Sequence, residues 1–190
     1  EGHIGSISLL DLIVARRLPV IVFDVGAFVG TWTLLLKSIL PSSIVYAFEP
    51  LPSHSRRFEN HVAQLSGVHL HECALGARRC SKTMRITNLS DASSFLELTN
   101  KAKTTYGLNE VETINVAIET IDSLVEAGSV QPPDLIKLDV QGFEIEVLRG
   151  AKIALSKCSW VNCEVSFEEY YADQPLFHDV ADLMNGLGFR

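Results

Sequence analysis

The sequence predicts an α/β fold with a doubly wound, mainly parallel sheet carrying helices on both faces, and three observations point there. Short, continuous apolar runs rich in Val and Ile recur along the chain, as parallel strands covered on both sides require. Segments of helical length and spacing lie between them. The first run stops at Asp24 before a glycine turn and the second at Glu49-Pro50, so strand, turn, helix and strand succeed one another as in a βαβ unit.

Taken in order, Val20 to Phe23 is the first strand, and Thr31 to Leu40 the first helix, with Thr31 as N-cap and Pro41 just past the end. Ile44 to Phe48 forms the second strand. Ser53 to Leu65 is the next helix, its Phe58, Val62 and Leu65 at core spacing. Val68 to Leu75 is a third strand. Met84 to Thr87 and Thr113 to Ile118 read as further strands, separated by a Ser-, Thr- and Asn-rich lid or insertion at about 88–111. Thr120-Ile121-Asp122 opens a short helix, with Thr120 as cap and Asp122 near its positive end. Leu135 to Val140 is the fourth parallel strand, and a helix from Phe143 to Ser156 carries Val147, Leu148, Ala151 and Leu155 on one face. Trp160 to Val165 makes the fifth strand, Leu176 to Asn185 the last helix. No internal repeat or boundary is visible, so residues 1–190 are expected to form a single domain.

Composition narrows the functional classes. A length of 190 residues with 47% hydrophobic content suffices for one buried core. The net charge of -7 gives no attraction for a phosphate backbone, and Arg16-Arg17 and Arg78-Arg79 are isolated pairs, so a small-molecule acceptor is expected rather than nucleic acid. Cys73, Cys80, Cys158 and Cys163 form no CxxC pair and have no zinc-ligand spacing, which points to reduced thiols in a cytoplasmic location. Arg16, Asp24, Lys37 and Glu49 interrupt the hydrophobic runs, so no membrane span is expected. A start at Glu1 without a signal-like core reads as a trimmed chain rather than a processed secretory protein. No metal site is expected: His69 and His71 share a strand face but lack a third ligand. His54 and His61 read as residues of a polar helix face, His3 and His178 as residues near the ends. Tyr170-Tyr171 reads as a packing pair, and Ser93-Ser94 either approaches a cofactor from the lid or belongs to an ordinary polar loop.

In a sheet of this kind ligands bind beyond the carboxyl ends of the strands, near the point where strand order reverses. Asp24, Glu49, Cys73-Ala74, Asp139 and Glu164 are the terminal residues, and four of these five strands end at a carboxylate. Carboxylates gathered at one edge repel one another unless a cation or donors lie between them. The arrangement suits a cationic cofactor such as S-adenosyl-L-methionine, which needs close backbone approach and acceptors for its ammonium and ribose hydroxyls. Asp24, Gly26, Ala27, Gly30, Glu49, Pro50, Ala74 and Asp139 are the expected cofactor contacts. An NAD-binding oxidoreductase would use the same acid at Glu49, but the loop Gly26-Ala27-Phe28-Val29-Gly30 lacks G-x-G-x-x-G, and Asp24 would repel a pyrophosphate. A second set, Lys137-Leu138-Asp139-Val140-Gln141-Gly142-Phe143-Glu144, places Lys137, Asp139 and Gln141 on one side of a strand. A buried ammonium there requires a partner, either Asp139 or Glu164 in a structural ion pair. In the functional reading Asp139 lies beside the transferred group, with Glu164, Glu144 and Lys137 shaping the acceptor pocket as the remaining catalytic candidates.

Phe23-Asp24-Val25-Gly26-Ala27, Ala47-Phe48-Glu49-Pro50, Glu119-Thr120-Ile121-Asp122-Ser123-Leu124 and Ile136 to Glu144, continuing to Val147-Leu148-Arg149-Gly150-Ala151, together resemble the FkbM-type methyltransferase family from about Val20 to Glu164. The resemblance implies a class I methyltransferase fold and methyl transfer from S-adenosyl-L-methionine, usually to a hydroxyl of a sugar or secondary metabolite. Two departures accompany it. Gln141 stands where the family often has Glu, which removes one base or metal ligand and favours a non-catalytic cofactor-binding module as the alternative. The sequence stops at Gly188-Phe189-Arg190 without the C-terminal hairpin of the class, so the expectation is either that it ends early or that another segment or a homodimer partner covers the fifth-strand edge.

Overall fold

The computed structural model describes residues 20–189 together with positions 10, 11 and 15; His3 and Arg16-Arg17 lie outside the described residues. In chain order the elements are β1 (Ile21–Val25), α1 (Thr31–Ile39), β2 (Ile44–Phe48), α2 (Pro52–Val62), β3 (Val68–His71), β4 (Ala74–Leu75), β5 (Cys80–Thr87), α3 (Asn100–Tyr106), β6 (Glu110–Glu119), α4 (Ile121–Glu126), β7 (Leu135–Leu138), α5 (Glu144–Arg149), α6 (Lys152–Leu155), β8 (Trp160–Cys163) and α7 (Phe177–Gly186). A five-stranded, all-parallel sheet runs in the order β3-β2-β1-β7-β8. The chain steps outward from β1 through β2 to β3, then returns to the other side of β1 as β7, so strand order reverses between β1 and β7. The class predicted from the apolar runs is the one observed.

Alternation within the strands explains both layers. Val22, Val45 and Leu135 point to one face and pack on Trp32 and Leu36 of α1, while Phe23, Phe48, Ile136 and Leu138 point to the other and pack on Val147, Leu148 and Leu155. Phe23, Leu36, Leu135 and Ile136 are wholly buried, and such side chains stabilise by about 1.5–3 kcal/mol each.

Three local expectations are corrected. The predicted third strand divides: β3 stays in the main sheet, and after Glu72-Cys73 the chain crosses to a second sheet, of order β4-β6-β5, whose β5 and β6 form an antiparallel pair. The connection between β5 and β6 carries a 3-10 turn at Ser90–Ala92 and helix α3, capped by Thr99, whose side chain accepts from the Ala102 amide. The helix predicted from Phe143 to Ser156 breaks into α5 and α6 at Gly150, where a Cβ would lie 2.0 Å from the Gly76 carbonyl oxygen. Asp122 lies in the first turn of its own helix, as expected, and also reaches across to cap α6, accepting from Ile153 N at 3.0 Å and Ala154 N at 2.9 Å. Finally, Thr31 is not the N-cap of α1; Gly30 is, with φ 87°. Thr120 does cap α4, accepting from Ser123 N at 3.0 Å.

β8 is one of the two edge strands of the main sheet among the described residues, with Leu183, Met184 and Phe189 packed on the core beside Val161 and Cys163. Among the described residues no helix is long and apolar enough to cross a membrane.

Candidate active site

The loop after β1 turns sharply at Gly26, φ 74°, where a Cβ would meet the Asp139 carbonyl oxygen at 1.9 Å, so only glycine fits. Gly26 and Ala27 donate their amides to the Phe48 carbonyl, each at 3.1 Å, folding the loop back over the end of β2. The same fold-back brings the Phe28 amide to Glu49 Oε2 at 3.0 Å, while Leu51 N donates to Oε1 at 2.9 Å. His54 Nδ1 lies 3.3 Å from that oxygen, its ring set edge-on to Phe28 at 4.7 Å. Glu49 is thus buried and rigidly oriented.

A cleft lies over the tips of β2, β1 and β7. Of the expected cofactor contacts, Gly26, Glu49, Pro50, Ala74 and Asp139 line it. Met84, Phe95 and Phe143 add apolar surface, Ser93 and Asp91 a polar edge. Asp24, Ala27 and Gly30 are not among the lining residues. Ala27 packs with Ala47, Phe58 and Val62, and Gly30 lies against the Phe58 ring. The expectation that Asp24 faces the ligand is corrected: like Val22, it projects onto the α1 face and is fully buried. Thr33 Oγ1 donates to its Oδ2 at 2.7 Å, and Lys137 Nζ sits 3.1 Å from Oδ1.

Lys137 is directly opposite Asp24 in the parallel register and also donates to the Gly26 carbonyl at 2.8 Å, with Asp139 Oδ2 at 3.7 Å. Burial alone would lower its pKa, but the Asp24 and Asp139 carboxylates reverse this and hold it above its ordinary value. Lys137 is therefore an internal cation that lines neither the cleft nor the cavity beside it, not a wall of the acceptor pocket as expected.

Beyond β7 the chain makes a tight turn at Gln141, φ 54°, a conformation that non-glycine residues seldom adopt outside functional sites. The Gln141 amide nitrogen donates to Asp139 Oδ1 at 2.8 Å and to Glu164 Oε2 at 3.1 Å. The Tyr171 hydroxyl lies 3.1 Å from Gln141 Oε1 and 2.9 Å from the Ala92 carbonyl, and Ser94 Oγ donates to the Gln141 carbonyl at 2.7 Å. Glu164 has its pKa pushed up to about 8, first by desolvation and then by the nearby Asp139. Burial also raises Glu144, although amides of Val140, at 3.0 Å, and Gly142, at 3.3 Å, counter the shift. Glu144 and Glu164 line a second cavity, which shares Gln141 with the cleft. The side chains thus offer a cleft with a fixed acceptor, Glu49, and beside it a second cavity lined by two carboxylates, Glu144 and Glu164, of elevated proton affinity.

Sequence reasoning missed His54, which the polar-face reading placed in solvent, and Tyr171, whose hydroxyl joins the Gln141 network rather than packing against Tyr170. The Tyr170 ring pairs instead with Tyr106, centroids 5.3 Å apart. A signal for His54 existed in its place within the first turn of the helix after Glu49-Pro50; none existed for Tyr171. Among the described residues no three His, Cys, Asp or Glu side chains converge as a metal site.

Comparison with known proteins agrees with this architecture. Residues 24–190 match the family described as the Methyltransferase FkbM domain. The chain is 30% identical over 142 residues to Methyltransferase 1 of Beauveria bassiana, covering 68% of this chain and 57% of that protein. It is 25% identical over 189 residues to 2-O-methyltransferase NoeI of Sinorhizobium fredii, covering 96% and 76%. With the hexuronic acid methyltransferase AglP of Haloferax volcanii it shares 29% identity over 148 residues, 76% of this chain and 55% of that one. The chain therefore spans little more than half the length of two of these relatives. Among solved structures, Methyltransferase FkbM from Methylobacillus flagellatus superposes with a TM-score of 0.58 at 18% identity, covering 89% of this chain and 36% of that one. Magnesium protoporphyrin IX methyltransferase of Synechocystis, solved with bound SAM, gives 0.52 at 13% identity over 96% and 66%. The fold is thus the Rossmann-like α/β fold of class I methyltransferases, and the chain belongs to the FkbM methyltransferase domain family.

Proposed function

We propose that this chain is an S-adenosyl-L-methionine-dependent methyltransferase that methylates a hydroxyl on a sugar or secondary metabolite. One observation carries the reading: the cleft at the β1–β7 reversal holds the oriented Glu49 carboxylate, Asp139 and Gln141, and through Gln141 it adjoins the second cavity that Glu164 lines. The residues present fit the cofactor. Glu49 accepts one backbone amide on each oxygen, and a carboxylate has about four acceptor sites, so capacity remains for ribose hydroxyls. Gly26 allows close backbone approach, and Met84, Phe95 and Phe143 supply apolar surface for the adenosine. The cofactor, when bound, supplies an electrophilic methyl group on a cationic sulfur. Glu49 and the Gly26 turn would orient it; the single proton released by the hydroxyl passes to one acid of the Asp139–Glu164 pair, which Gln141 bridges. Positioning of this kind lowers a barrier by about 7–11 kcal/mol, and general-base assistance adds typically 10² to 10⁴ in rate. The names of NoeI and AglP support an oxygen nucleophile on a sugar. Four free cysteines accord with the cytoplasmic location that completes the proposal.

Radiolabelled methyl transfer is the test. Wild-type chain is expected to label a hydroxylated acceptor, S-adenosylhomocysteine to raise the melting temperature, and NAD to leave it unchanged. Asp139→Asn is expected to lower transfer by at least about 10² while the fold survives. Stabilisation by NAD alone would overturn the assignment, and undiminished transfer by Asp139→Asn would remove Asp139 from the catalytic role.

A further inference from the structure

Beside the cofactor cleft lies the second cavity, about 780 Å³ with its open mouth, over the tips of β7 and β8. Gln141 forms a wall of both cavities, so molecules seated on its two sides meet at the Asp139–Gln141–Glu164 array. The floor is polar: Glu164, Glu144 and Ser166, the last accepting from Gln174 Nε2 at 2.9 Å. Its rim carries the Tyr106 and Tyr170 rings, at right angles with hydroxyls 3.3 Å apart, and Tyr106 is 54% exposed, leaving an aromatic face open to a ligand. Among the described residues that line this cavity there is no Lys, Arg or His. Lys101, beside the tyrosine pair, is tied to the Glu168 carboxylate.

We infer that this second cavity is the acceptor subsite and that it takes an uncharged, polyhydroxylated ring while rejecting hexuronates and other anions. The inference rests on the methyltransferase reading above and adds a substrate class to it. Hydroxyls find acceptors at Glu164 and Ser166, and the open tyrosine faces suit the apolar face of a ring, since aromatic side chains combine large contact area with a polar edge. A carboxylate bound here finds no countercharge among the lining side chains, and burying an unpaired charge is unfavourable. Specificity then arises from the repulsive element as much as from the attractive one.

The probe is a panel of methyl glycosides of neutral hexoses and 6-deoxyhexoses set against glucuronic and galacturonic acids, measured by saturation-transfer NMR on the chain saturated with S-adenosylhomocysteine. Neutral glycosides are expected to bind at least tenfold more tightly than the uronates. Ser166→Trp, which fills the floor, is expected to abolish that binding, and Tyr106→Ala, at an exposed rim position that leaves the core intact, to weaken it severalfold. Affinity for S-adenosylhomocysteine should stay within threefold in both variants. Uronates binding as well as neutral sugars, no neutral sugar binding to the cofactor-loaded chain, or neutral binding unchanged in both variants would overturn the inference. Failure of the wild-type chain to bind S-adenosylhomocysteine would instead overturn the methyltransferase reading beneath it.

Discussion

Replacing Lys137 by methionine keeps the side-chain length and removes the charge, which makes it the sharpest probe of the Asp24–Lys137 pair. Asp24 is 0% exposed and Lys137 6%. Without the ammonium, the Asp24 carboxylate retains the Thr33 hydroxyl as its hydrogen-bonding partner, and the Gly26 carbonyl loses its donor. Breaking a buried pair from one side typically costs about 3–5 kcal/mol, because an uncompensated charge is left in the interior. At about 2–4 °C per kcal/mol for a domain of this size, the melting temperature should fall by about 6–20 °C. Removing both charges, in Asp24→Asn with Lys137→Met, should restore much of the loss, since the penalty resides in the orphaned charge rather than in the missing attraction. Thermal melts followed by circular dichroism, with urea titrations at neutral pH, measure both variants. A Lys137→Met protein melting within about 2 °C of wild type, or a double variant as unstable as the sum of its parts, would refute the strut role.

Four further outcomes follow from the geometry. Gly26→Ala should weaken S-adenosylhomocysteine binding at least about tenfold by calorimetry, because left-handed strain alone is worth 1–2 kcal/mol and the new Cβ collides with the Asp139 carbonyl; unchanged affinity would show the turn is not part of the site. With Glu164 holding its proton up to about pH 8, kcat/KM should climb with pH and level off above that value, and Glu164→Gln should erase the inflection. The folded chain binds this proton more tightly than the unfolded chain, so the Glu164 contribution to stability declines as pH rises from about 4.5 to about 8; melting temperature plotted against pH should slope less steeply for Glu164→Gln in that window. Asp122→Ala uncaps α6 and should cost about 1 kcal/mol, a melting-temperature fall of about 2–4 °C, without altering cofactor affinity.

The sheet was legible because parallel strands buried on both faces announce themselves as unbroken apolar runs; β2 matches its expected range, Ile44 to Phe48. Glu49 and Asp139 were legible because they follow such runs. What escaped depends on register and on distant backbone. Nothing local tells Lys137 whether its partner is Asp139, two residues on, or Asp24, more than a hundred residues earlier; the parallel register of β1 and β7 decides it. Similarly, Val68 to Leu75 carries strand propensity throughout, and the switch of sheets at Cys73 follows from where β6 returns. The break at Gly150 exists because Gly76, far away in sequence, passes within contact distance. His54 read as polar surface because helix periodicity alone does not reveal that Glu49 and Phe28 enclose its ring.

The segment between β5 and β6 touches the Gln141 turn at two places, through the Ser94 hydroxyl and through the Ala92 carbonyl by way of Tyr171. That segment and the turn are consequently one mechanical unit. Displacing residues 92–94 would cost the hydrogen bonds that hold the Gln141 turn, and with it the partition at which the cleft and the second cavity meet.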